Sequence, residues 1–317
     1  MNEFELIRLL TAGLPPHEKV VQGVGDDCAV LDLGLADRWL LLKTDAVVEG
    51  IHFDKGASPE RVGHKALGRC LSDIAAMAGE ASFALITLAL PRDFDPAYVQ
   101  GLYRGMQALG TQHGVAIVGG ETTTNPERLL LSVTVAGFVT KDRCVLRSGA
   151  KPGDAMFVTG ELGGSLEGRH LDFEPRLTEA RWLAAHFSVH SMMDLSDGLA
   201  GDLRHLLEAG RVGAELLAAA VPISRAARRR ARLPIATDPG APPRRQPLEA
   251  ALSDGEDFEL LFTVSARDAV PLLDAWKTAF PKVRLTCLGR ISQEPGLRLR
   301  HKDCVQTLAL HGYAHFD

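Results

Sequence analysis

What the chain has little of narrows the field first. Its five cysteines, Cys28, Cys70, Cys144, Cys287 and Cys304, are odd in number, widely spaced and never in a Cys-x-x-Cys pair. That argues against a disulfide framework or a zinc site and fits a reducing, cytoplasmic location. No apolar stretch approaches the roughly 20 residues that a membrane span requires, and residues 1–14 carry Glu3 and Glu5 among their apolar positions, unlike a secretory leader. Positive charge is not in surplus: the formal net charge is −5, so neither a nucleic-acid footprint nor a membrane surface is an expected partner. The lysine of a Walker loop, short solenoid repeats and a low-complexity tail are also missing.

What is present is length, apolar content and acid. With 317 residues, 46% of them hydrophobic, the chain can build two domains, each with a core. Short acidic motifs recur along it: Gly25-Asp26-Asp27, Thr44-Asp45, Ser72-Asp73, Gly119-Gly120-Glu121, Asp194-Leu195-Ser196-Asp197 and Asp254-Gly255-Glu256-Asp257. Most stand beside glycine, serine or threonine at the edge of an apolar run. Mg²⁺ takes oxygen ligands from a few carboxylates and leaves the rest of its shell to water and phosphate, so this pattern points to a site for hard cations and a nucleotide.

Strands and helices alternate. Residues 39–42 read as a strand delivering Thr44 and Asp45 at its end, and residues 61–77 as a helix with Val62, Ala66, Cys70 and Ile74 on one face and Asp73 near its end. Asp95 and Pro96 open a second helix striped by Val99, Leu102, Tyr103 and Met106. A strand at 115–118 then ends at Gly119-Gly120-Glu121, and another covers 129–139. The turn formers of residues 147–154 make the domain boundary, giving domains at 1–140 and 148–317. In the second, residues 155–159 and 258–264 read as strands. Ser196 or Asp197 caps a helix bearing Leu199, Leu203, Leu206 and Leu207, which Gly210 stops. The arginine- and proline-rich stretch 222–247 reads as surface helix plus loop.

Each motif also has a plain structural explanation. Asp73 follows Arg69 by four residues and Lys65 by eight, as in a solvated salt-bridge ladder worth about 0.3–0.5 kcal/mol per pair. Asp197 can cap a helix, Asp26-Asp27 can shape a turn, and His52 can be a satisfied, partly buried histidine. Residues 160–165 are a tight turn before they are a phosphate cradle. Arg225, Arg228, Arg229, Arg230 and Arg232 read as a solvated helix face without the interleaved aromatics of an RNA-binding patch.

The order of motifs adds more. Residues 25–31, 44–53, 65–79, 119–123, 147–154, 194–200, 255–260 and 312–316 together resemble the thiamine-monophosphate kinase family, a branch of the aminoimidazole ribonucleotide synthetase superfamily. The resemblance implies an α/β (α+β) two-domain fold: an N-terminal ATP- and metal-binding domain that pairs through its sheet in a homodimer, and a C-terminal domain closing over nucleotide and substrate. It implies ATP as co-substrate, several Mg²⁺ ions, thiamine monophosphate as acceptor and no covalent nucleophile or general base. By motif, Asp27, Thr44, Asp45, Asp73, Glu121, Asp194 and Asp197 are implied metal ligands. Gly120, Glu121, Arg147 and Ser196 are implied at ATP, and His52, Glu256 and Tyr313 at the substrate.

Three positions depart from the family pattern. Glu121 stands for an aspartate, Lys43 for a small hydroxyl residue, and Asp254 for a glycine, where a side chain restricts backbone approach to a ligand. Two other readings stay open: a superfamily enzyme with a different acceptor, and a nucleotide-binding regulator without turnover. A selenophosphate-forming version is disfavoured because Cys28 is followed by Ala29 and Val30 rather than glycine and lysine.

Overall fold

The computed structural model describes residues 3–232, 245–310 and 312–313. They form two compact units. One comprises residues 16–144 with 171–182, the other residues 145–170 and 183–317 with 1–15. We call them the N-terminal and C-terminal units; the short helix α1 (Glu3–Thr11) groups with the latter.

The N-terminal unit contains β1 (Val20–Gln22), β2 (Ala29–Leu31), β3 (Arg38–Val48), α2 (Pro59–Ala76), β4 (Glu80–Leu90), α3 (Pro96–His113), β5 (Ala116–Thr124) and β6 (Leu130–Thr140). Its sheet has the order β1-β2-β3-β6-β4-β5. β3 and β6 pair antiparallel along their whole length, from Arg38 opposite Thr140 to Val48 opposite Leu130. β4 and β5 are parallel, which a hairpin cannot achieve, and α3 supplies the crossover. Alternation is plain in β6, where Leu131, Val133, Val135, Gly137 and Val139 are buried and the residues between them are not. The stripe Val62, Ala66, Cys70 and Ile74 of α2 is buried as expected, and the Asp95 side chain caps α3 by accepting the Ala97 N–H.

Thr44 and Asp45 lie inside β3 rather than beyond it, and Gly119 to Glu121 lie inside β5; both strands are longer than their apolar runs. On the sheet's other face Leu42, Phe83, Leu85 and Val118 are left exposed, at 39%, 48%, 48% and 57%. Helices α2 and α3 approach closely through glycine: a Cβ on Gly105 would lie 1.8 Å from the Glu60 carbonyl oxygen, and one on Gly63 2.0 Å from that of Leu102.

The C-terminal unit uses β7 (Ala155–Thr159), α4 (Leu177–His186, of which residues 177–182 group with the N-terminal unit), β8 (Val189–Asp194), α5 (Leu199–Gly210), β9 (Gly213–Leu217), α6 (Arg225–Arg230), α7 (Pro247–Ser253), β10 (Leu260–Val264), α8 (Ala269–Ala279), β11 (Leu285–Ser292), β12 (Gly296–Arg300) and β13 (Val305–Thr307). The strand order is β13-β12-β9-β11-β7-β10-β8. Every residue of β7 and β10 is buried, so both faces of this region are covered. Phe157 and Phe262 stack across the strands with centroids 5.6 Å apart, and Leu199, Leu203, Leu206 and Leu207 of α5 enter the core. No helix among the described residues is long and apolar enough to cross a membrane. Of the stretch 222–247, residues 233–244 lie outside the described residues, as do residues 314–316 of the terminal motif.

The α2–α3 contact sets the first testable outcome. Gly105→Ala forces a methyl group into a main-chain carbonyl, and overpacking of this kind costs about 1–3 kcal/mol. The expected result is a lower urea midpoint, whereas an unchanged midpoint would show that the helices separate at no cost.

Candidate active site

In the N-terminal unit Asp27 follows a turn in which Gly25 has φ +112° and the Asp26 carboxylate accepts the Asp27 N–H at 3.0 Å. Asp27 is 2% exposed and Asp73, on α2, 6%. Each brings a carboxylate oxygen within 4.8 Å of the other. Burial rules out the solvated ladder for Asp73. Its carboxylate instead accepts from the Lys43 ammonium at 2.9 Å, and Lys43 also stands 4.0 Å from Asp45. The Arg69 Nε lies 3.7 Å from Asp45, and its guanidinium donates to the Ala46 carbonyl. Burial opposes the charge on Lys43, but Asp73 and Asp45 outweigh it and hold the ammonium well above its ordinary pKa. Cys28, buried beside this group, has its thiol pushed well up by burial and then by the Asp73 charge.

The remaining predicted residues of this unit are placed differently. Lys43 and Asp45 share one face of β3, and Thr44 alternates to the other, where its hydroxyl accepts from Thr134 at 3.0 Å and donates to the Val133 carbonyl. Gly120 sits in β5 against β4, where a Cβ would lie 1.7 Å from the Ile86 carbonyl oxygen, so packing alone requires glycine there. Glu121 is exposed on the same strand and stands outside the Asp27–Asp73 group. His52 follows β3; its Nδ1 accepts the Val48 N–H at 3.1 Å, fixing the remaining proton on Nε2, and its carbonyl receives the buried Lys65 ammonium.

In the C-terminal unit two loops are stitched together by main-chain hydrogen bonds. Leu195 N–H donates to the Glu259 carbonyl, Phe258 N–H to that of Leu195, and Glu256 N–H to that of Ser196 at 2.6 Å. Tyr313 N–H donates to the Asp197 carbonyl at 2.9 Å. Gly255 belongs at the crossing, with φ +74° and room for a Cβ only 2.8 Å from the Ser196 carbonyl oxygen. Asp194, Ser196, Asp197, Glu256 and Tyr313 are thereby gathered into one region. Glu256 holds a left-handed φ of +54°, uncommon outside glycine and concentrated at functional loops, and its carboxylate pairs with the buried His170 at 2.8 Å.

The expected cap of α5 is absent. Gly198 occupies the cap position with φ +103°, and the Asp197 N–H goes instead to the carboxylate of Asp202, one turn into the helix. Asp202 is 2% exposed. Burial, then the charges of Asp197 and Asp194, push its carboxyl well above the usual range, while Arg147 pulls the other way. This places Arg147 within electrostatic reach of the cluster. Asp202 was legible only as a further carboxylate five residues after Asp197, and nothing in the sequence singled out His170.

The glycine loop 160–165 is a structural turn. Gly163 N–H donates to Asp257 at 2.9 Å and Gly164 N–H to Asp254 at 2.8 Å, so these amides serve internal carboxylates rather than phosphate. Asp257 also holds Arg169 at 2.6 Å, and Asp254 holds Arg230 at 2.5 Å and Arg245 at 3.0 Å. Arg230 is therefore not part of a solvated face. Nor does Asp254 crowd a ligand approach: it adopts a right-handed helical conformation at the end of α7 and turns its carboxylate inward. Burial raises Asp257 to about 7, against the lowering by Arg169 and the Gly163 N–H.

A folded pKa of about 7, above the ordinary aspartate value of about 3.9, means that between the two the native state holds a proton the unfolded chain has released. That stabilisation is complete below about pH 4 and lost as pH rises through about 7. The urea midpoint of the protein should fall relative to that of Asp257→Asn between pH 5 and 8; parallel profiles would show that Asp257 does not titrate there.

The donor set of Asp27 and Asp73, two buried carboxylates with no imidazole between them, suits a hard, oxygen-preferring cation such as Mg²⁺. Models described as AIR synthase related protein, N-terminal domain and C-terminal domain, match residues 25–139 and 151–279. The chain is 40% identical to the thiamine-monophosphate kinase of Rhodopirellula baltica over 286 residues, covering 88% of this chain and 86% of that protein. It is 33% identical to the thiamine-monophosphate kinase of Bacillus subtilis, covering 100% of both. Among solved structures, AaThiL complexed with AMPPCP and TMP matches with a TM-score of 0.81 at 30% identity, over 99% of this chain and 97% of that one. Matched along nearly its whole length, the chain belongs to the thiamine-monophosphate kinase family, within the AIR synthase related proteins.

Proposed function

We propose that this protein transfers the γ-phosphoryl group of ATP to thiamine monophosphate, giving thiamine diphosphate and ADP by direct in-line displacement. The observation that carries the reading is the full-length likeness to a structure complexed with AMPPCP and TMP. A phosphate monoester has its second pKa near 6, so the acceptor oxygen is already anionic at neutral pH and needs no general base. It attacks the γ-phosphorus as the bond to the β-phosphate oxygen breaks, and ADP leaves with that electron pair. The obstacle is repulsion between polyanions, and catalysis of such transfers rests on positioning and charge neutralisation.

The carboxylates of Asp27, Asp45, Asp73, Glu121, Asp194 and Asp197 are the proposed holders of Mg²⁺. When bound, the ions neutralise phosphate charge and orient the nucleotide. Thr44 contributes through its main-chain position, since its hydroxyl turns to Thr134. Ser196, Gly120 and Arg147 receive nucleotide phosphates, Arg147 as a forked donor. His52 is a further proposed contact of the substrate. Glu256, set by Gly255 and His170, and the exposed ring of Tyr313 complete the acceptor contacts. The exposed apolar residues Phe83, Leu85 and Val118 form the face through which two copies pair in the cytoplasm.

Coupled ADP release with product chromatography should show thiamine diphosphate formed from the monophosphate and not from free thiamine. Asp27→Asn and Asp197→Asn should each lower kcat by about 100-fold or more, and Tyr313→Ala should raise KM for the monophosphate more than for ATP. ATP binding without diphosphate formation would replace the kinase reading by a regulatory one.

Sedimentation should give twice the 34.1 kDa chain mass. Leu85→Arg should halve it, and a wild-type monomer would discard the pairing face.

A further inference from the structure

Lys43 departs from the family pattern at the centre of the N-terminal carboxylate group, and its geometry gives it a role. Its side chain lies on the same face of β3 as Asp45 and reaches Asp73 at 2.9 Å and Asp45 at 4.0 Å. The contact is sheltered, with the Lys43 side chain 22% and that of Asp73 8% exposed. Arg69 approaches Asp45 at 3.7 Å. Lys43 and Arg69 thus set two fixed positive charges against Asp27, Asp45 and Asp73, all carried by one unit. A lysine ammonium is a compact point charge on a flexible stem, and a divalent ion drawn to the same Asp73 oxygen would meet it at short range in a poorly screened setting.

We propose that the Lys43 ammonium is a built-in cation of this cluster, standing on Asp73 and Asp45 in the place of one Mg²⁺ ion. The inference rests on the kinase reading, which puts Mg²⁺ on these carboxylates. The protein then needs one ion fewer to neutralise the cluster, and part of the charge that faces the phosphates is supplied by the chain itself.

The test counts ions rather than turnover. Mn²⁺ bound to the full chain with a β,γ-methylene ATP analogue is titrated by the paramagnetic resonance of free Mn²⁺, for the wild type, Lys43→Ser and Lys43→Arg. The expected result is one additional ion per chain in Lys43→Ser and the wild-type number in Lys43→Arg. Thermal unfolding with and without Mn²⁺ gives a second readout: the metal should raise the midpoint of Lys43→Ser more than that of the wild type, even if the variant folds only in its presence. Equal stoichiometry and equal metal-induced shifts in all three would overturn the built-in cation while leaving the metal site in place. Mn²⁺ binding to none of them would overturn both the inference and the metal assignment beneath it.

Discussion

Burying carboxylates close together is the constraint on which the rest of this structure depends. Two unit charges 4.8 Å apart, the limit set on the Asp27 and Asp73 oxygens, repel by about 3 kcal/mol at an effective dielectric constant near 20. The fold meets that cost in three ways. Around Asp45 and Asp73 it uses the fixed cations Lys43 and Arg69. At Asp202, near Asp194 and Asp197, burial and the neighbouring charges push the carboxyl pKa well above the usual range. At Asp254 and Asp257 it combines guanidinium groups with main-chain amides of the glycine loop.

These solutions separate carboxylates that hold the scaffold from carboxylates available for chemistry. Asp254, Asp257 and Glu259 are saturated by arginine, by Thr159 or by glycine N–H groups, and their effect is to fix residues 160–165 against the end of α7 and the start of β10. The main-chain stitches then transmit that rigidity. Residues 255–258 cannot move without disturbing residues 195–197, and the Tyr313 N–H ties the chain's end to the same loop. Glu256, proposed to contact the substrate, and Asp197, proposed to hold metal, are therefore positioned as one piece, which suits a reaction governed by alignment.

Much of this was legible in the sequence, and the misses have physical causes. β7 spans residues 155–159 as its apolar run indicated, and α3 begins at the Asp95-Pro96 signal. β3 and β5 outran their apolar stretches because Lys43 and Asp45 neutralise one another's surroundings within the sheet, and because Gly119 to Thr124 lie on an exposed edge strand. Hydrophobic periodicity cannot register either situation. The helix cap was misassigned to Ser196 or Asp197 because the competing acceptor, Asp202, lies inside the helix. The implied metal-ligand set came from motif order. Spacing alone gave no sign that Asp27 and Asp73, far apart in the chain, would meet.

The departures from the family pattern sort by the same electrostatic rule. Lys43 introduces a charge into a half-buried position and Asp254 into a buried one, and each meets opposite charges already in place: Asp73 and Asp45 for the lysine, Arg230 and Arg245 for the aspartate. Asp254 also needs no glycine conformation, since its φ is −70°. Glu121 is of another kind. It is exposed on β5, where no packing limits the extra methylene, so the fold neither selects nor resists it. Any selection on its length must come from what the carboxylate binds.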